Sequence, residues 1–327
     1  MSSESALPSL SLPVVQVVIP TWNGRNLLHY PLDSLARQAY RHYTVTVVDN
    51  GSTDGTIRLL SERWPDVSLI RLRENTGFAH ATNCGIRAGN TDLVALLNND
   101  VELHPQWLTE MVTALLADPG LSSVTGRMLS WRDPTRIDNL GLYCLWNGDS
   151  NPIARNGKDG PAHRVAREVF GACAGAALYR RDAFDAVGFL DADFFAYSED
   201  ADWAFRAQLL GWRCRYVPDA VSYHLGSSTS EKMGRLRAFL SIRNSVVMIL
   251  KTFPSWALLR HSPRILWRLL AVARTSVRSG NGAVYVKALL DVVASGRSIS
   301  SKRRAIQTRA TASRAQLESV MGYPELR

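Results

Sequence analysis

The chain has 327 residues, 46% of them hydrophobic, which suffices for one large α/β domain with an appendage or for two domains. Its four cysteines, Cys84, Cys144, Cys173 and Cys214, show no C-x-x-C or Cys/His ligand spacing, which excludes a zinc ribbon and a disulfide framework and leaves reduced, mostly buried thiols. The net charge of +9 belongs to one end: residues 1–224 hold 20 Lys and Arg against 25 Asp and Glu, a net of −5, whereas residues 225–327 hold 18 against 4, a net of +14.

Residues 1–13 carry Glu4, Pro8 and Pro13 and no basic start, so they read as a disordered leader rather than a signal peptide. No uncharged apolar run approaches the roughly 18–20 residues that span a bilayer. The Asn50-Gly51-Ser52 sequon is therefore given no weight. Two β-branched runs follow, Val14 to Ile19 and Thr44 to Val48, separated by Leu27, Leu28, Leu32 and Leu35 at helical spacing. This is a strand–helix–strand unit. In an open parallel sheet a ligand sits beyond the strand ends, so Pro20-Thr21-Trp22 and Asp49-Asn50-Gly51 are expected to face one crevice. Asn-Gly between strands ordinarily signals a hairpin. Here Ile57, Leu59, Leu60 and Trp64 continue at helical spacing, so the turn leads into a helix capped by Thr53 or Asp54.

A third strand, Val67 to Leu72, leads to a turn at Asn75-Thr76-Gly77 and a helix from Ala79 to Ala88. A fourth, Leu93 to Leu97, ends in Asn98-Asn99-Asp100, a tripeptide that by itself is only a turn. Pro105 to Leu116 has helical periodicity. Residues 127–168 read as loops or short strands, and Asp138 and His163 within them are assigned no role. Small residues at Gly171, Ala172, Ala174 and Gly175 permit close backbone approach. The acidic turn Ser198-Glu199-Asp200-Ala201-Asp202 then opens a helix that Gly211 ends, with Asp202 and Arg206 as an ordinary i, i+4 pair. A strand from Arg213 to Val217 and a short run, Ala220 to Tyr223, precede His224, which taken alone is a structural histidine.

In the tail, Leu236, Phe239, Leu240, Val246, Val247 and Leu250 form one helical face. Between Pro263 and Arg278, Arg264, Arg268, Arg274 and Arg278 fall within one arc opposite Ile265, Leu266, Leu269, Leu270, Val272 and Val277. Two readings stand: a helix in a membrane interface, with Trp256 and Trp267 nearby, or a helix packed on the body with a solvated arginine face. From Ser295 the chain is polar and basic, helical or partly disordered.

The IPTWN and VVDNGSTDGT pair, the ENTGFAHATNCGI run and the FAYSEDADW block together resemble the family 2 inverting glycosyltransferases over roughly the first two-thirds of the chain. The resemblance implies an α/β GT-A fold, a Rossmann-like mixed sheet flanked by helices, over residues 14–225, with a basic helical tail over 226–327. It implies a nucleoside diphosphate sugar donor contacted by Pro20, Thr21, Trp22, Asp49, Asn75, Asn98 and Asn99. Asn98-Asn99-Asp100 stands where the family keeps D-x-D, so the metal, Mg²⁺ or Mn²⁺, passes to Asp100, with His224 as second ligand. Asp200 matches the family's base, and Gly175 and Glu199 lie on the acceptor side. Asn-Asn-Asp with FAYSEDADW is closest to bacterial rhamnosyltransferases, implying dTDP-rhamnose, a polyprenyl-diphosphate-linked saccharide acceptor and a peripheral place on the cytoplasmic face of the membrane. The missing first Asp motivates an alternative, a nucleotide-sugar-binding subunit without turnover. Nucleic acid is not an expected partner, for want of interleaved aromatics in the basic tail. A dinucleotide oxidoreductase is not expected either, since no G-x-G-x-x-G follows the first strand.

Overall fold

The computed structural model describes residues 12–226 and 234–322, so the leader expected over 1–13 lies outside the described residues apart from its last two. The first half alternates strand and helix: β1 (Val15–Thr21), α1 (His29–Ala36), β2 (Tyr43–Asn50), α2 (Thr56–Arg63), β3 (Ser68–Leu72), α3 (Phe78–Ala88) and β4 (Leu93–Leu97). Then come β5 (Val101–Leu103), α4 (Trp107–Leu116), β6 (Leu121–Ser130), β7 (Ile137–Asn139), β8 (Leu142–Cys144), β9 (Ser150–Pro152), β10 (Arg167–Val169) and β11 (Ala176–Arg180). The body closes with α5 (Arg181–Val187), α6 (Glu199–Leu209) and β12 (Arg213–His224). The described part of the tail is a succession of helices joined by short turns: α7 (Gly234–Thr252), α8 (Ser255–Arg278), α9 (Gly282–Ala294), α10 (Gly296–Arg309) and α11 (Arg314–Val320).

The main sheet runs in the order β10-β12-β6-β11-β4-β1-β2-β3, with β5 paired to β12 and β7 to β6. Strands β1 to β4 are parallel, β11 is antiparallel to both β4 and β6, and β12 is parallel to β6. That pattern fixes the site. The carboxyl ends of β1, β2, β4 and β12 and the entry to β11 all fall on one sheet edge.

Every residue of β1 is buried, as a central strand covered on both faces requires. Val15, Val17, Ile19 and Val47 pack with Leu28 at the N-cap of α1, Leu32 and Leu35 of α1, and Trp107, Leu108 and Met111 of α4. Val18, Val48, Val94 and Leu96 point the other way, against Ala79 and Ile86 of α3, Phe184 of α5 and Trp203 of α6. Gly85 lets α3 approach closely: a Cβ there would lie 2.3 Å from Val18 Cγ1. A third core joins body and tail, where Phe194, Phe205 and Leu209 meet Val247, Met248, Phe253, Ala257, Val292, Ile299 and Leu317.

Several expectations are corrected. β1 and β2 run on to Thr21 and Asn50, because the parallel ladder pairs Thr21 with Asp49 beyond the apolar residues. The first residues of the 127–168 segment belong to β6, whose neighbours bury Ser122, Ser123, Thr125 and Arg127 and so hide it from hydrophobic periodicity. Arg213–Val217 and Ala220–Tyr223 are one strand, interrupted by a register shift between Val217 and Val221. Pro218, which has no N–H to give the ladder, sits in that bulge. The Asp202–Arg206 i, i+4 pair forms as expected, but it is buried and shared: Asp202 is fully buried and also lies 2.7 Å from Lys251 Nζ of α7. The arginine arc of α8 is also broken. Arg268 turns inward to Asp149, and Ile265 and Leu269 pack on the third core, while Leu259, Leu266, Trp267, Leu270 and Val277 face outward beside Arg260, Arg264, Arg274 and Arg278.

Candidate active site

The ends of β1 and β2 are tied to each other before any ligand arrives. Asn23 N donates to Ser52 Oγ (2.8 Å), Thr53 N to Asn23 Oδ1 (2.8 Å) and Arg25 N to Asp54 Oδ2 (3.1 Å). Asp54 also accepts from Thr56 N at 3.0 Å, but the N-cap of α2 is Gly55, at a φ of +87°, and not Thr53 or Asp54 as expected. Within this frame Asp49 is 1% exposed, accepts from Ser52 N through Oδ2 at 3.3 Å and leaves Oδ1 without a partner among the described residues. A buried carboxylate oxygen without a donor is costly, and a ligand N–H would satisfy it. Thr21 Oγ1 accepts from Asn99 Nδ2 (2.8 Å), which joins the first strand end to the Asn98-Asn99-Asp100 turn. Pro20 is buried in β1 and Trp22 half-buried. Asn75 sits across the crevice with its side-chain oxygen engaged by Asn50 Nδ2 and Gly77 N, both at 3.0 Å.

After β4 the chain reverses into β5, whose Val101 pairs with His224 at the end of β12. This brings His224 Nε2 to 3.3 Å from Asp100 Oδ2 and Nδ1 to 3.0 Å from Asp138 Oδ2. Burial opposes charge on the imidazole, but the hydrogen bonds and negative charges of Asp100 and Asp138 outweigh it and raise His224 to about 10. Asp138 is held below the usual carboxylate range, its own burial being offset by His224. Among the described residues no group of three or more His, Cys, Asp or Glu forms a ready metal cage. A divalent cation completed by diphosphate and water fits these side chains once it displaces the Nε2 proton of His224, since a metal-bound imidazole must be neutral. Two ligands bonded at about 2.1 Å and at right angles are about 3 Å apart, close to the Asp100–His224 spacing of 3.3 Å. Asp138 behind Nδ1 would then orient the imidazole.

The Glu199-Asp200 turn reaches the same edge through the Cys173–Gly175 segment. Gly175 O accepts from Asn98 N (2.8 Å), and a Cβ on Gly175 would stand 3.3 Å from Asn98 Nδ2. The neighbouring Ala174 backbone and Cys173 thiol lie close enough to the Asp200 carboxylate to favour its charged form. Burial raises the Asp200 pKa, and the N–H groups of Ala201 and Ala174 pull against it. Glu199, 7% exposed and with Oε2 unpartnered among the described residues, is pushed up to about 8 by burial and by the Asp200 charge. Burial thus raises both carboxyls, and Asp200 is the more exposed member. The backbone leading into it is strained: Phe195, Tyr197 and Ser198 have φ of +61°, +72° and +67°. Each such residue costs about 1–3 kcal/mol.

The expected residues Thr21, Asp49, Asn98, Asn99, Asp100, Gly175, Glu199, Asp200 and His224 therefore line one edge. Gly175 stands against Asn98, between the two halves of the site, rather than apart from the donor residues. Asp138 is the addition. Its contact with His224 spans 86 residues, and only the pairing of β7 with β6 delivers it, so no local pattern announces it. His163 has a purely structural place, its carbonyl accepting from Tyr216 Oη (2.7 Å).

Comparison with known proteins matches residues 16–188 to the family described as Glycosyl transferase family 2. The N-acetylglucosaminyl-diphospho-decaprenol L-rhamnosyltransferase of Mycobacterium tuberculosis is 30% identical over 245 residues, which cover 66% of this chain and 78% of that protein. An uncharacterized protein y4gI of Sinorhizobium fredii is 29% identical over 260 residues, 70% of this chain but 27% of its own length. In fold, the mannosyltransferase PcManGT of Pyrobaculum calidifontis, solved with GDP-Man and Mn²⁺, superposes with a TM-score of 0.56 at 20% identity, covering 95% of this chain and 86% of that one.

Proposed function

The chain belongs to glycosyl transferase family 2, and from that premise we propose that it moves a sugar from a nucleoside diphosphate to a saccharide carried on a polyprenyl diphosphate, inverting the anomeric carbon. The observation that carries this reading is the Cys173–Gly175 segment, which touches Asn98 on one side and Asp200 on the other. Donor end and base end therefore share one crevice.

In this reading the free Oδ1 of Asp49 accepts a base N–H, Thr21 and Asn98 contact the nucleoside, and Asp100 and His224 hold Mg²⁺ or Mn²⁺, with Asp138 steadying the imidazole. When bound, the cation neutralises charge on the departing diphosphate. Asp200 takes the proton of the acceptor hydroxyl as that oxygen attacks from the face opposite the leaving group, and its raised pKa suits a base. Glu199, protonated beside it, keeps a second negative charge out of the crevice. The Mycobacterium tuberculosis relative suggests rhamnose, from dTDP-rhamnose, as the sugar and a polyprenyl-diphosphate-linked N-acetylglucosamine as the acceptor of a surface-polysaccharide pathway.

No helix of the described residues is long and apolar enough to cross a membrane. The outward face of α8 supports a peripheral place on the cytoplasmic side instead, where a lipid-linked acceptor is presented: a stripe of exposed leucines flanked by arginines, on a helix without Asp or Glu.

Asp200→Asn tests the base. It should abolish release of dTDP from dTDP-rhamnose in the presence of the lipid-linked N-acetylglucosamine, while calorimetry shows dTDP and Mn²⁺ still binding. Turnover near the wild-type rate would reject the assignment. Binding without turnover in the wild type would favour a nucleotide-sugar-binding subunit, the reading that Asn98 in place of a carboxylate suggests.

A further inference from the structure

Ahead of Glu199-Asp200 the chain passes three positive-φ residues within four positions, none of them glycine. A segment so bent does not hold itself: its reversed peptides turn carbonyls away from any regular ladder, and each needs a donor. Three of those carbonyls share the two N–H bonds of one side-chain amide from the tail, and Phe194 O also accepts from Ala196 N (2.7 Å). Asn244 of α7, fully buried, directs Nδ2 at Phe194 O (2.9 Å), Ala196 O (2.9 Å) and Tyr197 O (2.8 Å).

The orientation of that amide is determined by chemistry. Three carbonyls at one end cannot donate, so they require the NH₂ group there. At the other end Arg243 Nη1 donates to Asn244 Oδ1 (3.0 Å) and also to Asp193 O (2.7 Å), while Arg243 Nε is anchored on Asp291 of α9 at 2.7 Å. On its far side the loop meets the donor crevice. Phe195 O accepts from Ala79 N (3.1 Å) in the first turn of α3, and Gly77 has no side chain because a Cβ would lie 2.5 Å from that same oxygen. The segment is thus held between the Asn75–Gly77 turn and α7.

We propose that Asn244 is a positioning residue for transfer: its amide fixes the 194–198 loop in the one conformation that aims Asp200 into the crevice, so the tail is a working part of the active site. The inference rests on Asp200 being the base. Asn244 touches neither substrate nor Asp200. Its effect therefore falls on turnover and leaves the nucleotide contacts at Asp49 alone.

The test compares wild type, Asn244→Ala, Asn244→Asp, Ser198→Gly and Asn244→Ala/Ser198→Gly in the full chain, with Asp200→Asn in parallel. Turnover is read as dTDP released from dTDP-rhamnose with polyprenyl-diphosphate-linked N-acetylglucosamine, affinity as the Kd of dTDP with Mn²⁺, and folding as the melting curve. Both Asn244 variants should lower kcat on the order of 100-fold, the scale of a misplaced reacting group, with dTDP affinity changed less than about threefold. Glycine occupies the left-handed region freely, so Ser198→Gly should return roughly tenfold of the lost kcat in the double variant. A merely structural asparagine predicts neither the split nor the rescue. Turnover of Asn244→Ala within about threefold of wild type, or loss in proportion to unfolded protein with no rescue, overturns the inference. If the Asn244 variants do not fold, Ser198→Gly must restore folding to Asn244→Ala, and failure to do so is equally contrary. If Asp200→Asn retains turnover, the fault lies with the choice of base and not with Asn244.

Discussion

Glu199 and Asp200 are adjacent carboxylates in the first turn of α6, where acidic residues commonly serve only the helix dipole. Burial separates them. Glu199 is raised to about 8 in the folded protein, against about 4.3 for an unperturbed glutamate in the unfolded chain. The folded state therefore keeps a proton that the unfolded chain releases. Stability from this group is fully present below about pH 4.3 and is lost as pH rises towards 8. Glu199→Gln stays neutral throughout, so its melting temperature should gain on wild type across that window and level off above it. Parallel melting curves for the two proteins between pH 5 and about pH 9 would show that Glu199 does not carry the proton. At this scale the placement of much of the candidate site was legible in the sequence, which puts Thr21, Asp49 and Asp100 at or just beyond strand ends and Asp200 at a helix start, while their proposed roles came from the family resemblance. Asp138 and Asn244 were not. Their partners lie 86 and about 50 residues away, and only strand pairing and helix packing reveal them.

At the scale of elements, the joint between α6 and α7 shows why tail and body cannot be treated separately. Lys251 is 1% exposed and lies 2.5 Å from Asp191 and 2.7 Å from Asp202, which also binds Arg206 Nε at 2.9 Å. Lys302 of α10 adds a contact to Asp191 at 2.6 Å. Asp191 is held well below the usual carboxylate range, its burial being overcome by the two lysines. Such a network adds little stability by itself, yet removing one member strands the others. Lys251→Met should cost about 3–5 kcal/mol in chemical denaturation, because the fully buried Asp202 keeps only Arg206. A loss below about 1 kcal/mol would mean that water reaches this cluster. The sequence anticipated the α6 pair and the helical nature of α7, but helical periodicity says nothing about which element a charged face will meet. The same blindness affected β12, read as a strand from Arg213 to Val217 and a separate run from Ala220 to Tyr223, where the ladder passes Pro218 with a bulge.

Over the whole molecule the decisive contrast is between a polar, acidic body and the outward face of α8 and α9. Leu259 is 79% exposed, Trp267 76%, Leu266 59% and Leu270 57%, and Val286, Leu290 and Val293 are exposed on the following helix. Large apolar side chains gathered in this way mark a surface that meets something. The flanking Arg260, Arg264, Arg274 and Arg278, with no acidic residue on α8, support the proposal of an anionic lipid interface, and the indole of Trp267 suits the same boundary. Arg268 takes no part, since Asp149 neutralises it. Fully burying a leucine or similar side chain contributes about 1.5–3 kcal/mol, and salt does not screen it. Wild-type protein should therefore float with anionic vesicles at low salt and remain partly bound at about 1 M salt, where the screening length is about 3 Å. Replacing Leu266, Trp267 and Leu270 with serine should release it under both conditions and leave dTDP affinity unchanged, because none of the three lies at the crevice. Replacing Arg264, Arg274 and Arg278 with glutamate should weaken only the binding at low salt. If wild-type protein fails to float at low salt, the interfacial reading is wrong. A dimer in sedimentation that the serine variant dissolves would assign the same face to a second copy of the chain.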